Sequence, residues 1–202
     1  MKICSWLASP DMETSVEKWE GQQGIAFLTK IGVGPGQAVL DFGCSVGHYT
    51  IPAAKAVGQN GVVYAVDKQE YALHQLRRKA ALHKLTNIKT MKTSGQTNLA
   101  LQDGTIDVAL LYDVLHYLEP AERNKLYRDV FRVLKPAGLL SVYPKHTIGD
   151  YPIMAFKSLH LDDVREEIRR SGFRFEVKRC GSISHDDGLN AGCVLNFTKS
   201  KT

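Results

Sequence analysis

Between positions 38 and 50 the chain reads Ala38-Val39-Leu40-Asp41-Phe42-Gly43-Cys44-Ser45-Val46-Gly47-His48-Tyr49-Thr50. A short apolar run ends in an acid, small residues follow at 43, 45 and 47, and an apolar-rich stretch without strand alternation comes after them. That order predicts a strand, a tight turn and a helix. Such a turn aims unpaired backbone N–H groups and the positive end of a helix dipole at whatever lies beyond the strand's C-terminal end. The segment therefore reads as a ligand site before any chemistry is assigned to it.

The frame of the small residues separates two ligand classes. A dinucleotide fingerprint starting at Gly43 needs glycine at 45 and glycine or alanine at 48, where this chain has Ser45 and His48. In the frame acidic-x-Gly-x-small-x-Gly, positions 41, 43, 45 and 47 fit, with Ser45 in place of a third glycine. Here the chain resembles the class I S-adenosylmethionine (SAM) dependent methyltransferases. On the turn alone, a nucleotide site or a purely structural strand–turn–helix remains open. Val62-Val63-Tyr64-Ala65-Val66 then reads as a second buried strand ending in Asp67. A doubly wound fold places a carboxylate there to take ribose hydroxyls. NAD and SAM both carry that ribose, and Asp67 as a helix N-cap is the structural alternative.

Two later segments favour the methyltransferase reading. Asp103 to Leu118 resembles the fourth-strand motif of those enzymes, and Arg132 to Val142, with Leu134-Lys135-Pro136-Ala137-Gly138, is similar to their helix, turn and fifth strand. The approach Ile31-Gly32-Val33-Gly34-Pro35-Gly36 to the first strand matches too. The motifs follow one another in order over residues 31–143. The resemblance implies a three-layer Rossmann-like α/β fold, class I methyltransferase in type: a mostly parallel seven-stranded sheet, ordered 3-2-1-4-5-7-6, with the last strand antiparallel.

Periodicity predicts helices over 46–57, 69–84 and 120–134, the last opened by Pro120, whose missing N–H has no partner in a first turn. A further helix is expected around Leu161, Val164 and Ile168, ending at Ser171-Gly172. Short strands are expected over 87–93, 173–180 and 193–198. Residues 12–30, with Trp19, Ile25, Phe27 and Leu28, predict helix, so that 1–30 forms an N-terminal helical cap. A chain of 202 residues with 44% hydrophobic content reads as one domain, 1–202.

The cysteines stand at 4, 44, 180 and 193 without a C-x-x-C pair. That pattern argues for a reducing, cytoplasmic setting and against zinc, with a Cys180–Cys193 disulfide the less favoured reading. No segment reads as a secretion signal or a membrane span. The net charge of +5 invites a nucleic-acid partner. However, Arg77-Arg78-Lys79 and Arg165…Arg169-Arg170 lie on amphipathic helices, the second among acids at salt-bridging spacing, so solvated faces are expected instead.

The resemblance also implies site residues. SAM would be the cofactor and S-adenosylhomocysteine its product, with the turn Gly43, Cys44, Ser45 and Gly47 holding the methionine end and Asp41 orienting the turn or the amino group. Asp67, with Lys68 beside it, would take the ribose. The position of the family's usual adenine-binding acid falls on Gly95, so Ser94 or Gln96 is expected to substitute, with apolar cover from Leu99. Asp113 follows the fourth strand at both the cofactor and the acceptor. Tyr112-Asp113-Val114-Leu115 stands where methyltransferases of nucleic-acid amines carry a Pro-Pro motif, which disfavours base-amine chemistry. His116 reads either as a general base or as a packed ring. Pro144 to His160, with Lys145, His146, Asp150, Tyr151, Met154 and Phe156, reads as an acceptor segment or as a surface loop. The catalytic candidates are His116, His146 and Asp113. His185-Asp186-Asp187-Gly188 reads as a turn, with a weak metal site as its minor alternative, and no metal is expected elsewhere.

The activity implied is methyl transfer to a small molecule by a monomer or homodimer, without a specific nucleic-acid or membrane partner. The competing readings are an RNA or protein methyltransferase, a SAM-binding regulatory domain without turnover, and last a nicotinamide oxidoreductase.

Overall fold

The apolar runs read as strands are apolar on both faces, and the sheet they form is covered on both. The computed structural model describes residues 15–94, 97–186 and 188–200. Among them β1 (Ala38–Phe42), β2 (Val62–Asp67), β3 (Ile88–Lys92), β4 (Ile106–Tyr112), β5 (Leu134–Tyr143), β6 (Phe173–His185) and β7 (Gly188–Lys199) form one sheet in the order β3-β2-β1-β4-β5-β7-β6. Strands β1 to β5 pair in parallel, whereas β7 runs antiparallel to both β5 and β6. This is the expected fold and order.

Side chains alternate across a strand, and here both sets are apolar. Leu40, Phe42, Ala109 and Leu111 join one core cluster with Leu126, Tyr127 and Val130 of α5 (Pro120–Val133) and Val164 and Ile168 of α6 (Leu161–Arg170). Their neighbours Val39, Val108 and Leu110 join another, with Leu28 and Ile31 of α2 (Gly24–Ile31) and Ala53, Ala54 and Val57 of α3 (Thr50–Val57). Helix α4 (Glu70–Leu82) adds Leu73, Leu76 and Ala80 against Ala65. Parallel strands covered by helices on both faces have this property, which explains why the central strands β1 and β4 lack a polar face.

Three boundaries differ from the expectation. Helix α3 starts at Thr50 rather than Val46, because Ser45 and Gly47 adopt φ of 46° and 96°, outside the right-handed helical region. Strand β5 begins at Leu134 directly after α5. The largest difference is the terminal hairpin, whose pairing continues past Cys180↔Cys193 to His185↔Gly188. Gly181, Ser182, Gly192 and Asn190 have little strand propensity. The extension is held instead by burial of Ile183 and Ser184 and by the Tyr49 hydroxyl, which donates to the Ser184 carbonyl at 2.5 Å.

At the N-terminal side, α1 (Ser15–Lys18) runs through a π turn, Trp19–Gln23, into α2. The expected cap is helical from Ser15 onward; its first 14 residues lie outside those described. Trp19 is buried and its Nε1 donates to the His48 carbonyl at 2.8 Å, which docks this segment on the β1–α3 turn. Cys180 and Cys193 form a disulfide with Cα atoms 4.0 Å apart, against the expectation of free thiols. Their ladder pairing places the two side chains on the same face of neighbouring strands, within bridging reach. Within the second basic cluster Arg169 pairs with Glu166 as expected, and in the first Arg77 pairs with Glu70. No helix among the described residues is long and apolar enough to cross a membrane.

Candidate active site

A cleft of about 660 Å³ opens beyond the C-terminal ends of β1, β2 and β4. The sheet order reverses between β1 and β4, and at such a switch point neighbouring crossovers leave the sheet on opposite faces, so a crevice forms there. One part of the lining comes from the β1–α3 turn and the end of β2, the other from the end of β4 and the β6–β7 turn.

The first part is organised by Asp67. Its Oδ2 accepts from the Ser45 N–H at 2.9 Å and its Oδ1 from the Gln69 N–H at 2.8 Å. A carboxylate has about four lone-pair sites, so two remain for a ligand. Gly43 N–H and Cys44 N–H both donate to the Val66 carbonyl, at 2.8 and 3.1 Å. Gly43 has φ of 80°, and a Cβ there would lie 2.5 Å from Val114 Cγ2. At Gly47, φ is 96° and a Cβ would come within 2.4 Å of Leu76 Cδ1. The glycines thus serve the turn's backbone and its packing against the segment after β4 and against α4.

The remaining cofactor candidates divide. Asp41 is buried beneath the turn and accepts from Thr50 Oγ1 at 2.5 Å. Burial pushes its carboxyl up to about 6, the Thr50 hydrogen bond opposing and the charge of Asp67 adding to the shift. Cys44 lines the cleft yet is almost wholly buried, and burial pushes its thiol far up, so it is no nucleophile. Lys68 lines the cleft, with Nζ 5.9 Å from the Tyr117 ring centre. Ser94 is exposed and absent from the lining, where its neighbour Thr93 stands. Gln96 and Gly95 lie outside the described residues. Leu99 does not line the cleft; it packs in the core cluster with α5, and its N–H donates to the Asp129 carboxylate.

The second part gathers around Asp113, a non-glycine residue at φ of 54° that caps β4. His185 Nδ1 lies 2.6 Å from its Oδ2, while His116 Nδ1 and His146 Nε2 lie 3.6 and 3.7 Å from its Oδ1. Burial raises the Asp113 carboxyl above the ordinary carboxylate range, and His185 and His146 offset part of that rise. His116 is 2% exposed and packs against Tyr117 and His146, with ring centres 4.0 and 4.6 Å apart. Burial, helped by the neighbouring charges of His146 and His185, pushes its imidazole down to about 4. All three catalytic candidates thus lie together, Asp113 on the cleft and both rings buried beside it. Of the segment after β5, Lys145 to Thr147 are buried, and Lys145 pairs with Asp150 at 2.5 Å. This part of it is structure rather than a surface loop.

His185 is the residue that the sequence reading placed in a turn, with a weak metal site as the minor alternative. Its signal was only a His-Asp pair before Gly188, and no local pattern shows that β6 runs far enough to carry it to β4.

Comparison with known proteins agrees with this architecture. Residues 39–138 match the family described as "Methyltransferase domain". The chain is 24% identical to a carboxy-S-adenosyl-L-methionine synthase of Shewanella loihica over 132 residues, 64% of this chain and 54% of that protein. It is 28% identical to a demethylmenaquinone methyltransferase of Symbiobacterium thermophilum over 122 residues, 60% of this chain and 46% of that one. The chain thus spans about half the length of these curated relatives. A crystal structure of a SAM-dependent methyltransferase from Aquifex aeolicus shares the fold with a TM-score of 0.72 at 22% identity, covering 92% of this chain and 97% of that one. With the motifs over 31–143, the matched domain and the sheet order in agreement, the chain belongs to the class I SAM-dependent methyltransferase superfamily.

Proposed function

We propose that this protein binds SAM in the cleft and transfers its methyl group to a small-molecule acceptor lying beside Asp113. The observation that carries the reading is one cleft with two chemically different parts: a carboxylate at the end of β2 held against a glycine turn, and a carboxylate set among imidazoles across from it. When bound, SAM supplies an activated methyl on a sulfonium, so the protein has mainly to align, to exclude water and to accept a proton.

The residues present suit that cofactor. Asp67 would hold both ribose hydroxyls on its two open lone pairs, while the N–H groups of Ser45 and Gln69 keep the carboxylate in place. The turn from Gly43 to Gly47 would face the methionine end, with Lys68 along the rim. A cleft of about 660 Å³ falls within the usual range for small-ligand sites. Beyond the cofactor, Asp113 would orient the acceptor and take its proton, held in position by His185. His116, neutral at physiological pH, would act as an acceptor rather than as an anchor for anions.

A small-molecule acceptor is supported by the pairing of Arg77, Arg165, Arg169 and Arg170 with acids and by the lack of a base-amine motif after β4. The Cys180–Cys193 disulfide weighs against the reducing cytoplasm that the scattered thiols suggest. Calorimetry with SAM, S-adenosylhomocysteine and NAD tests the cofactor, and a thermal-shift screen of acceptors with S-adenosylhomocysteine present tests the reaction. Binding of NAD in preference to both SAM forms would remove the proposal. Tight cofactor binding with no acceptor response would favour a regulatory SAM-binding domain.

A further inference from the structure

Among the described residues, Asp113 Oδ1 and both ring nitrogens of His116 are buried without a hydrogen-bond partner. Buried polar atoms almost always have one, so three orphans in one cluster call for an explanation. Candidate ligand atoms of Asp113, His116 and His146 all lie within 4.8 Å of one another.

The neighbours of these residues are arranged as supports for ligands. His146 Nδ1 lies 3.0 Å from the Tyr151 carbonyl. A carbonyl only accepts, so the ring's proton is on Nδ1 and a neutral ring turns the Nε2 lone pair toward Asp113 Oδ1. A hydrogen bond from the second ring nitrogen to a carbonyl is how proteins orient a metal-binding imidazole. On the other side His185 hydrogen-bonds Asp113 Oδ2, leaving Oδ1 as the oxygen that points to both rings.

We propose that Asp113, His116 and His146 bind one divalent first-row transition-metal ion, of the zinc class, with at least one coordination position open for an exogenous oxygen or sulfur ligand. Ligands at 2.0–2.1 Å in a tetrahedron stand about 3.4 Å apart. The observed 3.6 and 3.7 Å from Asp113 Oδ1 to His116 Nδ1 and His146 Nε2 need only a small contraction. Two imidazoles exclude the hard ions magnesium and calcium, which take oxygen ligands, and three protein ligands leave the site open as catalytic rather than structural zinc sites are. A second triple, Asp113, His185 and Asp186, shares the carboxylate. It is the poorer site, since His185 Nδ1 is already engaged and Asp186 is exposed.

The cysteine pattern argued against zinc, and this site uses none of the cysteines. Its ligands come from the end of β4, from the short 3-10 turn Leu115–Tyr117 behind it and from the segment after β5, so no spacing motif announces it. The metal site stands without the methyltransferase reading. If that reading holds, the ion lies on the acceptor side, the acceptor's own oxygen or sulfur is the exogenous ligand, and Asp113 and His116 hold the ion rather than serve as base and hydrogen-bond acceptor.

The test is titration of the full chain, stripped with a chelator and dialysed, with cobalt(II) chloride. One cobalt per chain with visible ligand-field bands, displaced by one equivalent of zinc chloride, is expected. Asp113→Asn and His146→Ala should each abolish the bands, and His185→Ala should lower cobalt affinity about 10- to 100-fold, as loss of a supporting partner does. Circular dichroism establishes that each variant is folded, and Asp113→Asn, nearly isosteric, keeps the test valid if the His146 variant is not. Asp67→Ala should bind cobalt as the parent does, so a protein that takes up cobalt but not SAM separates failure of the cofactor reading from failure of this one. No stoichiometric cobalt uptake by the parent, or unchanged bands in folded Asp113→Asn, overturns the proposal.

Discussion

His185 Nδ1 lies 2.6 Å from Asp113 Oδ2, a contact that joins the β6–β7 turn to the end of β4 across 72 residues of sequence. It completes the wall of the cleft and sets which oxygen of Asp113 is free. His185→Ala leaves a partly buried carboxylate oxygen unpartnered, and about 1–2 kcal/mol of stability should be lost in urea denaturation. SAM affinity should not change, because the cofactor half of the cleft is organised by Asp67. Calorimetric loss of SAM binding in this variant would move His185 to the cofactor side.

Asp67 should carry the cofactor. Asp67→Asn keeps one acceptor for the backbone N–H of Ser45 or Gln69 but removes the charge, and SAM or S-adenosylhomocysteine should bind about 1.5–3 kcal/mol more weakly by calorimetry. Unchanged affinity in a folded variant would show that the ribose lies elsewhere.

Gly43 is held by two independent demands, its φ of 80° and the space taken by Val114. Gly43→Ala adds a Cβ that meets Val114 Cγ2 at 2.5 Å and strains a left-handed residue by about 1–2 kcal/mol before the clash is counted. Because Val114 Cβ would itself lie 2.8 Å from the new methyl, Gly43→Ala with Val114→Gly should relieve the clash but not the backbone strain. A double-mutant cycle on thermal unfolding should therefore show coupling between the sites. Simple additivity would mean that Val114 moves aside freely.

Asp41 makes a pH prediction. Its folded carboxyl titrates at about 6, against an ordinary value of 3.8, because burial disfavours the charge. Its contribution to stability is fully present below the unfolded value and is lost as pH rises through about 6. The stability advantage of the parent over Asp41→Asn should fall by about 2–3 kcal/mol between pH 4 and 8. A difference that stays flat over that range would mean that Asp41 is ionised in the folded protein throughout.

What the sequence by itself determined is the part of the molecule built from short-range relationships. The apolar runs and turn residues between Ile31 and Tyr143 announced the strands β1, β2, β4 and β5 and the glycine turn. They also placed Asp67 and Asp113 at strand ends, where a parallel α/β sheet presents its ligands. Such features are legible because period, turn chemistry and strand-end position are local properties of the chain. Only the tertiary structure decided the other half of the site. His185 reaches Asp113 because β6 and β7 pair well beyond their favourable residues, a pairing driven by burial of Ile183 and Ser184 rather than by propensity. His116 and His146 come together beside one oxygen of Asp113 through packing of segments with no shared motif. Leu99 turned inward to the core, although nothing in its neighbourhood marks it as different from a cleft residue. Side-chain convergence across the sheet depends on the depth to which each element is buried, and that depth is set by the whole fold at once.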